Sequence, residues 1–232
     1  MGVVHAAQKR GIMAATTAKA KVERQYSLGE EIANSISHGV GALLSIAALV
    51  LLIVFACIHG GGTRVLAAVM MGVSLLLEFL FSTLYHALAH PGAKRVFRIL
   101  DHSAIYLLIA GSYAPFALIT LRERGGLQLA AIVWGIAVVG IVAECFLRER
   151  QPKWLSVAIY LALGWMVAFH MTDIVELLPP AAFGLLLAGG LCYTIGCAFY
   201  LAKQVPYMHF VWHLFVLAGA ICITLSAMLF IV

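Results

Sequence analysis

Seven apolar stretches follow one another along this chain with only short gaps between them. They fall at about 33–58, 65–88, 101–120, 127–147, 154–172, 180–201 and 206–232. A helix rises ~1.5 Å per residue and a bilayer's hydrocarbon core is ~30 Å thick, so each stretch is long enough to cross as a helix. The gaps carry turn chemistry: Gly60-Gly61-Gly62, Pro91-Gly92, Gly125-Gly126, Pro152, Pro179-Pro180 and Pro206. Nothing after the first stretch is left for a soluble domain, and no internal repeat is present. The pattern predicts an all-α, integral membrane bundle of seven transmembrane helices, a single domain over 30–232. Residues 1–29 read as a basic, Ala-rich tail, flexible or lying on the surface, with no prompt apolar run that would make them a signal peptide.

Composition agrees. Of 232 residues, 63% are hydrophobic and 11% charged, against about a quarter charged in soluble domains. So little charge suits a surface facing lipid. The net charge of +5 does not point to nucleic acid, because the basic residues sit in gaps between apolar runs and form no surface stripe. With the N-terminus in the cytoplasm, 12 of the 15 Lys and Arg fall on the cytoplasmic side, leaving Arg64, Arg122 and Arg124 outside. The positive-inside rule therefore predicts a cytoplasmic N-terminus and an external C-terminus. Cys57, Cys145, Cys192, Cys197 and Cys222 lie in or at the ends of apolar runs, form no CxxC pair and are odd in number. They read as small core residues and not as a disulfide framework.

In lipid, polar side chains are retained where helices pack or chemistry is done, because an exposed ionisable group costs a few kcal/mol or more. Span seven opens with His209 and His213, four residues apart and hence on one helical face. Alone, the pair also suits two histidines that hydrogen-bond across helices. Span two ends with Ser82 and His86 at the same spacing, and span three begins Asp101-His102-Ser103. Asp101 alone would also serve as a helix N-cap. Taken with alternating helix direction, His86, Asp101, His209 and His213 all fall within ~12 Å of the cytoplasmic face. Independent accidents would scatter between the two faces.

Three neutral imidazoles and an open position are the pattern of a catalytic zinc site, and imidazoles disfavour magnesium or calcium. Iron and copper remain alternatives. An aspartate beside such a site can hold an activated water and take its proton. Ser82 can hydrogen-bond that water or a developing oxyanion. Just before span one, Glu31, Asn34 and His38 share a face at the same side. His38 is open to three readings: a fourth ligand, a partner of a ligand, or part of a buried hydrogen-bond network, of which the network is preferred.

These blocks, Glu31-x-x-Asn34-x-x-Ser37-His38, Ser82-x-x-x-His86, Asp101 with Gly111-Ser-Tyr-Ala-Pro115, and His209-x-x-x-His213, occur in the order of a known family. The chain resembles bacterial haemolysin III-type proteins of the PAQR family, relatives of the adiponectin and progestin receptors and, more widely, of alkaline ceramidases. Tyr26-Ser-Leu-Gly-Glu and the run from Asp101 to Gly111 look especially like the bacterial branch. The resemblance covers about residue 26 to the end. It implies a seven-helix protein of the bacterial cytoplasmic membrane with His86, His209 and His213 as zinc ligands, Asp101 holding the zinc-bound water and Ser82 nearby. It also implies either hydrolysis of a lipid amide or a part in membrane lipid homeostasis, with membrane lipids as partners. The bacterial branch takes its name from a haemolytic, pore-like (cytolytic) activity.

Glu78 departs from what the resemblance leads one to expect, an apolar residue in mid-span. It shares the face of Ser82 and His86, ~12 Å deeper than His86. It reads either as a protonated or hydrogen-bonded core carboxyl or as a proton or substrate contact in a cavity beneath the metal. Glu144, His59, His90 and His170 read as ordinary interfacial or loop residues, and His102 points away from the site. Pro115 is expected to kink span three and open room beside the site.

Three functions follow for test: a zinc-dependent hydrolase of a membrane lipid amide or ester, a non-catalytic sensor of membrane state with a structural zinc, and a pore. Against a pore, no span carries a polar stripe along its whole length, although a homo-oligomer can form one between protomers.

Overall fold

A computed structural model describes residues 25–147, 152–202 and 204–232. Most of the tail at 1–29, with Lys9, Arg10, Lys19, Lys21 and Arg24, lies outside the described residues, as do Arg148, Arg150 and Lys203. The described chain is helical throughout, without strands, and seven helices are long and apolar enough to cross a membrane: α1 (Leu28–His59), α2 (Gly62–Ala87), α3 (Pro91–Thr120), α4 (Gly126–Leu147), α5 (Lys153–Leu177), α6 (Pro180–Leu201) and α7 (Met208–Phe230). Their outer faces carry exposed Leu, Ile, Val and Phe from nearly every span, as a lipid-facing surface requires. Among the seven, α3 is the most buried. It packs against α2, α4, α5 and α7.

Two helices begin earlier than the apolar runs indicate. α1 starts at Leu28 because Ser27 and Glu30 form a capping box: Ser27 Oγ accepts from the Glu30 amide at 3.3 Å, and Glu30 Oε2 accepts from the Ser27 amide at 2.9 Å. Glu31, Asn34 and His38 are therefore inside the first helix and not ahead of it. α3 starts at Pro91, with His90 as its cap and proline in the first turn. Asp101 thus lies ten residues into the helix, about 15 Å from its start, and the N-cap role does not apply.

Close helix approach is made by small residues, as packing between lipid-embedded helices demands. A Cβ on Gly41 of α1 would lie 2.4 Å from the Phe79 ring of α2. That contact presses His38 against the inner face of α2. Two spans lose regular geometry. After Pro115, α3 widens to a π-helix over Phe116–Thr120, and α5 tightens to a 3-10 helix over Trp165–His170. The freed polar groups of α5 meet Tyr113, whose hydroxyl donates to the carbonyls of Gly164 (2.6 Å) and Leu163 (2.9 Å) and accepts from the Val167 amide at 3.0 Å. Bounded by these irregular segments is an apolar cavity of about 1130 Å³ including its mouth, walled by α2, α3, α5, α6 and α7.

Two minor residues differ from their reading in the sequence. His59 ends α1 and is not a loop residue. Glu144 is buried and pairs with His102 Nδ1 at 2.8 Å, so it is no interfacial carboxylate. A carboxylate inside a span needs such a partner.

Candidate metal centre

His86 reaches the site from the last turn of α2, and His209 and His213 from the first two turns of α7. All three are buried, and each offers a ring nitrogen within 4.8 Å of the other two. Counting along helices placed them near one end; the packing of α1 against both α2 and α7 brings them together.

Hydrogen bonds decide which nitrogen faces the centre. His86 Nδ1 lies 2.6 Å from Glu31 Oε2. A carboxylate only accepts, so Nδ1 carries the proton and Nε2 keeps its lone pair. That Nε2 is buried without a hydrogen-bond partner. His213 Nδ1 lies 3.2 Å from the Asn34 carbonyl, which likewise only accepts, and 3.2 Å from Ser37 Oγ. Its Nε2 is left facing His209 Nε2 at 3.2 Å. Two nitrogens bound to one tetrahedral zinc at ~2.0–2.1 Å stand about 3.4 Å apart, close to the observed separation. Orphaned lone pairs converging in a buried site are what a metal satisfies and what burial otherwise disfavours.

Around these rings is a supporting layer. Glu31 is itself held by Lys94, whose Nζ donates to Glu31 Oε1 at 2.7 Å and to the Tyr85 carbonyl at 3.1 Å. Carboxylate–histidine–metal chains of this kind fix ring orientation and raise ligand basicity. Tyr26 closes the end of the site: its ring stacks on His209 at 5.0 Å and stands 5.8 Å from His86. Glu30 accepts from the Tyr207 amide at 2.9 Å, tying the start of α1 to the start of α7, where Tyr207 has the left-handed φ of 61°.

The remaining candidates fall at different depths. Ser82 is buried one turn from His86, and its Oγ has no partner among the described residues. Asp101 is buried on α3, outside the three-histidine group. Glu78 is buried and borders the cavity, and its Oε2 has no hydrogen-bond partner among the described residues. His38 is not in the metal group. It stacks on His213 with centroids 3.6 Å apart and meets the Phe79 ring edge-on at 4.9 Å. Neither of its ring nitrogens has a hydrogen-bond partner among the described residues, and ring stacking is its contact with His213. Lys94, Ser37 and Tyr26 are the residues that reading the sequence left out of the site. Lys94 counts there only as an orienting charge; Ser37 and Tyr26 appear only within the quoted motifs.

A family model described as Haemolysin-III related matches residues 26–224. The chain is 48% identical to Hemolysin-3 of Bacillus cereus over 201 residues, covering 87% of this chain and 89% of that protein. It is 44% identical to the Hemolysin-3 homolog of Bacillus subtilis, covering 84% and 91%. A more distant similarity, 31% over 64% of this chain and 63% of the other, is to the human monocyte to macrophage differentiation factor. Bacterial relatives at this identity, with seven apolar helices, fit a multi-pass bacterial membrane protein.

Proposed function

The chain belongs to the haemolysin-III related family, and from that premise we propose that it is a zinc-dependent hydrolase of a lipid amide or ester, working at the cytoplasmic side of a bacterial inner membrane. The observation that carries this reading is the adjacency of two unlike environments. A buried cluster of imidazoles can hold a metal, and near it, starting at Trp212 next to His213, is a largely apolar cavity walled by five spans, an environment suited to a lipid chain. His86, His209 and His213 would hold the ion. Zinc, when bound there, supplies Lewis-acid activation of water and polarisation of a carbonyl at neutral pH.

The chain's own residues do the rest. Asp101 accepts the proton of the attacking water and returns it to the leaving amine or alcohol. Ser82 Oγ, which has no partner of its own, donates to the carbonyl oxygen as charge develops on it. Glu31 holds the His86 ring through Nδ1, and the cavity keeps the lipid chain out of water.

Purified protein, assayed for zinc and for turnover of lipid amides and esters from a membrane extract, tests the proposal. Asp101→Ala should retain zinc and lose turnover by about a hundredfold or more. Wild type carrying full zinc and turning over no lipid would sink it.

One observation favours a second reading, a zinc staple in a sensor of membrane state. The three histidines join α2 to α7, and Glu31, Asn34 and Ser37 join both to α1. Such a staple would leave Asp101→Ala without functional consequence.

A further inference from the structure

Besides the metal cluster, the cavity holds buried polar atoms that have no partner among the described residues. Most of its wall is apolar, yet Glu78 enters from α2 and Tyr193 from α6. Glu78 Oε2 and the Tyr193 hydroxyl are both buried, and neither has a hydrogen-bond partner among the described residues. Glu78 itself is only 3% exposed. Both line the same cavity. A polar group buried in an apolar wall is disfavoured unless something completes its hydrogen bonds. Two such groups in one cavity specify what that something is.

We propose that Glu78 and Tyr193 form a polar subsite in the lipid cavity, which recognises a group on the ligand that both donates and accepts a hydrogen bond, a secondary amide or a hydroxyl. The carboxyl oxygen takes a hydrogen bond from the ligand while the phenol gives one. An ester can only accept, so it leaves Glu78 Oε2 unsatisfied; a bare hydrocarbon chain leaves both. Binding sites that hold buried polar groups reject ligands that fail to pair them more strongly than apolar walls reject a wrong shape.

Position supports this. Glu78 is two turns from His86 on the same face of α2. The subsite therefore lies in the cavity wall, two turns of α2 deeper than the histidine cluster. The inference rests on the reading that the cavity holds a lipid chain. It narrows that lipid to one bearing an amide or hydroxyl on the part of the molecule that lies in the cavity.

Binding separates this from the hydrolase reading. Full-length protein in nanodiscs is titrated with three probes of matched chain length: N-ethylpalmitamide, ethyl palmitate and ethyl 2-hydroxypalmitate. Each is run with metal loaded and with metal stripped by chelator. Wild type should bind the amide, the hydroxy ester or both about tenfold more tightly than ethyl palmitate, the loss expected for one or two unmade hydrogen bonds. The arm that gains identifies the donor. Glu78→Leu and Tyr193→Phe should each reduce the preference below about twofold with ethyl palmitate bound as before, and Glu78→Gln, which keeps an acceptor oxygen, should retain it. The subsite is overturned if wild type binds all three alike, as it would with ordered water satisfying the pair. It is also overturned if the two variants keep the preference or weaken all three probes equally. A preference that stands without any turnover removes the hydrolase and leaves the subsite; turnover without a preference does the reverse.

Discussion

The two polar regions of this bundle are built on opposite plans. At the metal centre almost every outward-facing atom is tied down: Glu31 and Lys94 behind His86, Asn34 and Ser37 behind His213, Tyr26 across the opening. His86 Nε2 is left unpaired toward the other two rings. In the cavity the plan is reversed. Glu78 and Tyr193 stand alone in an apolar wall, with no supporting partner behind Oε2 or the phenol. A site for a small ion must be preorganised, because the ligand atoms have to meet within tenths of an ångström. A site for a long flexible molecule needs shape and a few polar contacts, and leaves completion to the ligand.

The comparison breaks hardest at the histidines. His213→Ala removes a ligand and the link from α7 to α1, and should abolish metal binding, measured as bound zinc per protein after dialysis, while leaving lipid probe binding in the cavity. Loss of both would mean that the regions are one site. A milder test acts through the supporting layer. Glu31→Gln keeps the shape but weakens the hold on His86, so metal affinity should fall about 10- to 100-fold without a change in probe preference. An unchanged zinc affinity would remove Glu31 from the metal site. The smallest effect is expected at the other end of the molecule. Arg124 pairs with Asp173 and Glu176 in water, and Arg124→Ala should leave the melting temperature of the nanodisc-embedded protein within error, since exposed pairs contribute little. A clear drop there would show that the loop between α3 and α4 clamps α5 to the bundle.

How far the site could be read beforehand varies from residue to residue. His209 and His213 declare themselves by spacing on one helix, and His86 by its place at the matching end of α2. Lys94 does not, because its partner Glu31 is 63 residues away and nothing local marks the pair. Glu144 fails for the same reason: near a helix end it looks interfacial until α3 and α4 pack and His102 arrives beside it. Asp101 shows a different failure. Hydropathy marks where a chain becomes apolar, and α3 begins ten residues earlier, at the proline and cap that start it.

Sequence by itself determined the seven spans, their order and the gathering of histidines toward one end. Those are local properties, set by run length against bilayer thickness and by the 3.6-residue period of a helix. Only the tertiary structure decided which imidazole nitrogens face inward, that His38 stacks on His213 where a hydrogen-bond network was expected, and that Glu78 and Tyr193 share a cavity. Those depend on how each helix is rotated and how closely it approaches its neighbours, and rotation is settled by packing among all seven at once.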